Sequence, residues 1–283
     1  LMRVLPTSGL VAMVEVSLLF VGGFIVGHAF GWTPLECLFT GAVVSISSTS
    51  IVAKAFESEK VSDARREVVF GVLIVEDLLA ILMMVALSIL ATGGSLGFEA
   101  IGTAALRLGL TLAVLLGGGL LVVPRLFRHT VSLGQNETTT VAAVGLCFAT
   151  ALATLSLGYP GALGAFIGGM LVAESGHGDV VERLVRPVRD VFAAIFFVAV
   201  GMLLDPTQVL AHPGWVAALL ALVLVGKVGA VAVGAFLVGH SPKASIHAGL
   251  SLAQIGEFSF IMAGLGLTTS ATGDFLYPLA ITV

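Results

Sequence analysis

Apolar stretches long enough to carry a helix across a hydrocarbon core, about 20 residues, recur nine times along this chain. They run roughly 8–30, 33–56, 67–92, 98–123, 138–158, 160–176, 188–204, 213–239 and 244–266, and a tenth starts near 274. Inside a bilayer every backbone N–H and C=O must find its partner within the chain, so repeated spans of this kind fold as helices. The expected fold class is an all-α polytopic membrane protein. Composition agrees: charged residues are 11% and hydrophobic residues 58% of 283 positions, whereas a soluble domain carries roughly 25% charge. The net charge of −4 gives nucleic acid no footing. Glycine runs such as Gly117-Gly118-Gly119 and Gly168-Gly169 suit close helix packing. No Walker pattern accompanies them, and no cofactor is expected. Cys37 and Cys147 lie in apolar stretches and read as packing residues.

Basic residues alternate between successive connections. Arg3 precedes the first span; Lys60, Arg65 and Arg66 follow the second, Arg125 and Arg128 the fourth, Arg183, Arg186 and Arg189 the sixth, and Lys243 the eighth. The intervening loops, 30–33, 93–97, 158–160, 205–212 and 267–273, contain no Lys or Arg. The positive-inside rule then puts residues 1–7 on the cytoplasmic side. Pro34, Pro160, Pro187 and Pro206 are expected to punctuate helix ends, where a missing N–H is tolerated. The chain opens at Leu1 and stops inside the apolar run 276–283, which reads as a segment of a longer protein.

A few ionisable residues remain at depth: Glu15, Glu76, Asp77, Arg107, Lys227 and Glu257. Such groups are expensive in hydrocarbon unless paired or facing a polar cavity, so they mark function. Asp77 lies ten residues beyond Glu67, about 15 Å along a helix, which is the midplane. Lys227 and Glu257 reach a similar level. The second span carries Ser45-Ile46-Ser47-Ser48-Thr49-Ser50, and hydroxyls compete for backbone partners and open helices. Gln254-Ile255-Gly256-Glu257 is a second polar interruption, in the ninth span. Unwound backbone at membrane depth is tolerated where it lines a cavity, and there its carbonyls can hold a cation. Two such breaks, one in each half of the chain, match the pattern of inverted-repeat transporters.

Several blocks carry a resemblance. The run from Gly41 to Ser50, Val75-Glu76-Asp77, the run from Gly161 to Phe166, the run from Phe196 to Met202 and the run from Gln254 to Phe260 together resemble the Kef-type branch of the monovalent cation:proton antiporters, the second cation:proton antiporter family. The resemblance covers nearly the whole chain. It implies that residues 1–283 are part of a transmembrane antiporter domain. The implied fold is an inverted repeat with two crossed, discontinuous helices, a core domain and a dimerisation domain. Residues 33–92 and 213–266 would supply the core and ion-site helices. About three further helices ahead of Leu1, and often a soluble nucleotide-binding domain beyond Val283, are implied as well. The expected location is a bacterial inner (cell) membrane.

Carried over by position, Asp77 resembles the ion-binding, proton-carrying aspartate of that family. Glu76 stands where relatives have Asn, Asp or Gln, and Kef proteins typically Gln. Ser47, Ser48 and Thr49 resemble the crossing-point segment. Lys227 resembles a basic residue near the ion site; it either pairs with Asp77 or holds the core together. Glu257 either supports the second break or acts as a ligand. Glu15 and Arg107 read as a polar contact at a helix interface. The implied activity is exchange of K⁺ or Na⁺ for protons by alternating access: a proton and a cation compete for one carboxylate and exclude each other. The expected partners are protons, monovalent cations, the bilayer and a second copy of the chain. A ligand-gated potassium efflux channel is the alternative. An intramembrane aspartyl protease is a remote one, because Glu76 and Asp77 are adjacent on one helix rather than facing each other from two. A retinal-type pocket around Lys227 would want aromatics, yet Trp32 and Trp215 read as anchors at the membrane interfaces.

Overall fold

The computed structural model describes residues 5–58, 61–91, 98–204 and 206–283. Arg3, Lys60 and the 93–97 loop, all used in the charge alternation, lie outside the described residues, as do residues 1–4 of the segment expected to face the cytoplasm. Helices form the regular structure of the described chain. They are α1 (Leu5–Ala29), α2 (Pro34–Ser45), α3 (Thr49–Ser58), α4 (Asp63–Ala91), α5 (Phe98–Ser132), α6 (Asn136–Ser156) and α7 (Gly161–Val172). There follow α8 (Gly178–Met202), α9 (Pro206–Ala211), α10 (Pro213–Ala221), α11 (Lys227–Leu237), α12 (Pro242–Leu252), α13 (Glu257–Thr268) and α14 (Leu276–Thr282). A wide π turn at Ala173–His177 joins α7 to α8, and another at Leu222–Gly226 joins α10 to α11.

Among the described residues, six helical segments are long and apolar enough to cross a membrane, or seven when the bent pair α12–α13 is taken as one span. The protein is a polytopic membrane protein. The expected 160–176 and 188–204 spans are helical but are not among the qualifying segments. Several expected helix ends also shift. Arg125 and Arg128 lie within α5, and Arg183, Arg186 and Arg189 within α8. Pro187 does not punctuate an end; it lies inside α8. Basic residues mark where the hydrocarbon stops, whereas a helix continues into the polar layer because its hydrogen bonds are local.

The chain packs as two units. One comprises residues 1–87 and 200–283, the other residues 88–199. In the second unit α5, α6 and α7 pack on one another, and large apolar side chains such as Val114, Val141 and Leu152 are well exposed, as suits a surface facing lipid. Arg107 donates to the Leu157 carbonyl there at 3.2 Å. Cys147 is exposed rather than packed, while Cys37, in the first unit, is buried.

In the first unit α1 packs against α2 and α11, α11 against α12, and α2 against α13. Val11, Val52, Val69, Leu73, Val231 and Leu252 belong to its buried apolar core. The start of α2 is fixed by a reciprocal cap: the Thr33 hydroxyl accepts from the Glu36 N–H at 3.3 Å, and Glu36 Oε2 accepts from the Thr33 N–H at 2.8 Å. Glu36 Oε1 also accepts from the Gly273 N–H at 2.9 Å, tying this end of α2 to the approach to α14. Trp32 is buried and meets Trp215 edge-on at 5.3 Å, with Phe275 4.9 Å away. The two tryptophans lie near helix ends but anchor one another.

Candidate functional site

The site lies in the first unit, where two interrupted helices touch at their interruptions. Between α2 and α3, residues 46–48 leave the helix, and Ile46 is extended (φ −104, ψ 135). Between α12 and α13, residues 253–256 do the same, and the chain bends by 46°. Each break frees backbone groups that would be costly if left unpaired at membrane depth. Several are satisfied across the crossing. The Gly256 N–H donates to the Ile46 carbonyl at 2.9 Å. The Ser47 hydroxyl donates to Leu252 O at 3.2 Å, Gln254 Nε2 to Ser48 O at 3.3 Å, and the Ser259 hydroxyl to Val43 O at 2.6 Å. Glycine is required at 256, because a Cβ there would sit 2.5 Å from the Ser47 carbonyl oxygen.

The ionisable groups surround this crossing. Asp77, on α4, accepts from the Thr49 hydroxyl at 3.0 Å. Its neighbour Glu76 points elsewhere, as adjacent helical residues must: its Oε2 takes the Ser47 N–H at 2.6 Å, and it is fully buried. Glu257, at the first turn of α13, accepts from the Ser48 hydroxyl at 2.7 Å and the Ser50 hydroxyl at 3.0 Å. Asp77 feels the charges of both Glu257 and Glu76. Lys227 begins α11 immediately after the π turn, a distortion that frequently accompanies functional sites. It is fully buried, donates to the Gln254 carbonyl at 2.9 Å and lies 3.9 Å from Glu15 Oε1.

The residues singled out in the sequence thus fall into three contacts. Asp77 meets Thr49, Ser48 meets Glu257, and the Ser47 backbone meets Glu76. Lys227 is not hydrogen-bonded to Asp77; it contacts Gln254 and Glu15, and the Glu76 charge acts on it as well. Glu15 is a polar contact at a helix interface, as expected, and the interface is that of α1 with α11: it stands beside Lys227 and within electrostatic reach of Glu76. Depth marks Glu15 in the sequence, but nothing in the sequence discloses that its neighbour is Lys227. Ser50 and Gln254 also join the site without having been singled out as ligands. With Glu15, Glu76, Asp77 and Glu257 set against Lys227, the crossing carries an excess of carboxylate, which favours cations over anions. Hydroxyl and carboxylate oxygens of this kind suit hard cations.

The family description "sodium/hydrogen exchanger, transmembrane" matches residues 1–283. The chain belongs to that family. It is similar to the cation/proton antiporter YbaL of Escherichia coli (strain K12), at 33% identity over 274 residues, 94% of this chain and 49% of that protein. It is also similar to the K(+)/H(+) antiporter subunit KhtU of Bacillus subtilis (strain 168), at 30% identity over 265 residues, 90% of this chain and 62% of that protein. A third relative is K(+) efflux antiporter 2, chloroplastic, of Arabidopsis thaliana, at 29% identity over 250 residues, 86% of this chain and 21% of that protein. The chain therefore spans half or less of the length of YbaL and of the plant protein.

Proposed function

We propose that this exchanger moves a monovalent cation, K⁺ or Na⁺, against protons by alternating access, and that the two compete for Asp77. The observation that carries the reading is the position of Asp77: its carboxylate meets the Thr49 hydroxyl where the two interrupted helices cross. A proton or a cation neutralises the same carboxylate, so each must leave before the other binds. The carbonyls and hydroxyls of the 46–50 segment stand beside it to replace water around a cation. Glu76 secures the first break through the Ser47 N–H, and Glu257 secures α3 through two hydroxyls. The interrupted pairs α2–α3 and α12–α13 fit the two halves of an inverted repeat, with 33–92 and 213–266 forming the ion-site core. A homodimer in a bacterial cell membrane, with residues 1–7 cytoplasmic, completes the reading.

The test is proton movement in everted vesicles on addition of K⁺, Na⁺ and Li⁺ in turn. Potassium comes first, because relatives are named for it. Cation-dependent proton movement that is absent in Asp77→Asn supports the assignment; exchange at the wild-type rate in that variant overturns it.

A further inference from the structure

The exchange reading gives no part to Lys227 or to its neighbour Glu15. Glu15 is fully buried, and neither carboxylate oxygen has a hydrogen-bond partner. Its Oε1 lies 3.9 Å from Lys227 Nζ, which is equally buried. A buried ammonium is strongly unfavourable without a counter-ion. The Glu76 charge also acts on Lys227, but Glu76 divides its duty, because its Oε2 is engaged by the Ser47 N–H at 2.6 Å. Among the described residues, Glu15 supplies the carboxylate within ion-pair distance of Lys227. Beyond Lys227 the contacts run straight into the site. Lys227 holds the Gln254 carbonyl at 2.9 Å, and the amide of the same Gln254 reaches Ser48 O at 3.3 Å. Ser48 immediately precedes Thr49, the partner of Asp77. The charged groups facing this arrangement are Glu15 on α1, Glu76 and Asp77 on α4, Lys227 on α11 and Glu257 on α13.

We propose that Glu15 is a positioning residue of the exchange site. It is the counter-ion that keeps Lys227 aimed at the Gln254 carbonyl, and through that contact it holds the second break against the first. Glu15 acts through Lys227; it touches neither the cation nor Asp77. The functional half of this proposal rests on the antiport reading, whereas the pairing of Glu15 with Lys227 does not.

A double-mutant cycle in the full-length protein tests both halves, using wild type, Glu15→Gln, Lys227→Met and the double variant. Melting temperature reads the pair. Each single variant takes from a buried charge its partner at 3.9 Å and melts lower, and the double variant regains part of the loss, Glu76 being common to all four proteins. Exchange in vesicles reads the positioning. Glu15→Gln should slow the maximal rate by about tenfold, a coupling within the range for residues in contact. The apparent KM for the cation should move by less than about twofold, because Asp77 and Thr49 are untouched. Glu15→Asp should recover part of the rate, and Glu15→Gln should cost nothing further in the Lys227→Met background. If Glu15→Gln does not accumulate, Glu15→Asp and the double variant against Lys227→Met carry the same comparison. Additive losses in melting temperature overturn the pair; coupled melting with additive losses in exchange overturns the positioning role. A wild-type protein that exchanges no cation overturns the antiport reading, and the positioning role with it, while the melting cycle still decides whether Glu15 and Lys227 are partners.

Discussion

Asp77 and Glu76 are neighbours in sequence with different duties, and substitutions should separate them. Asp77→Asn keeps an oxygen to accept from Thr49 but removes the charge that a proton or cation must neutralise. It should abolish cation-driven proton movement while the purified protein elutes and melts close to wild type. Glu76 is the acceptor for the Ser47 N–H. Glu76→Gln retains an acceptor oxygen, so it should fold and still exchange. Glu76→Ala leaves a buried N–H orphaned, at a cost of about 1–3 kcal/mol, and should melt measurably below Glu76→Gln. Equal melting of the two variants would show that the Ser47 contact contributes nothing. At this scale the sequence was readable as far as depth allows. Counting residues from the span ends puts Asp77, Lys227 and Glu257 at a similar depth, and the hydroxyl cluster supplies the partners of Asp77 and Glu257. Counting gives depth and not azimuth, so it leaves open whether Lys227 faces Asp77 or the core, and does not tell which helix Glu15 faces. Its partner is set by how α1 packs on α11.

Both helix breaks were legible for a chemical reason: five hydroxyls in six residues, and a Gln-Ile-Gly-Glu run, are poor company for a continuous apolar helix. What the pattern did not disclose is that each break completes the other's hydrogen bonds. That depends on contacts between residues about 200 positions apart, such as Ser47 with Leu252 and Ser48 with Glu257. Helix ends at the polar layer are also poorly legible, as α5 runs through Arg125 and Arg128, expected to follow its span, and α8 through Arg183, Arg186 and Arg189, expected in the connection ahead of it. The crossing supplies its own test at Gly256. A Cβ there meets the Ser47 carbonyl oxygen at 2.5 Å, a backbone atom that cannot rotate away, so Gly256→Ala must push the breaks apart. Overpacking of this kind costs typically about 1–3 kcal/mol, and the separation would also strain the Gly256 N–H bond to Ile46 O. The variant should melt lower and lose most of its exchange. Gly214→Ala, in open space at the start of α10, should do neither. Wild-type exchange by Gly256→Ala would mean that the crossing relaxes at no cost to transport.

For the molecule as a whole, the decisive question is what its exposed surface touches. In the unit formed by residues 88–199, Phe148 lies near the middle of α6 and is 56% exposed, while Leu133 lies at the turn before α6 and is 49% exposed. In water the two positions would be equivalent, and a charge at either would change stability by no more than about 0.5 kcal/mol. In a bilayer they differ sharply. An aspartate at the centre of a spanning helix costs about 2.5–3.5 kcal/mol on the insertion scale, whereas a position near the polar layer lets the carboxylate reach water. Phe148→Asp should therefore accumulate poorly in the membrane fraction and melt lower in detergent–lipid mixtures, while Leu133→Asp should behave as wild type. A second copy of the chain over Phe148 would not rescue the variant, because a protein interface also buries the charge without a partner. If Phe148→Asp and Leu133→Asp accumulate equally, α6 does not cross hydrocarbon at this point, and the number of spans in the 88–199 unit must be revised.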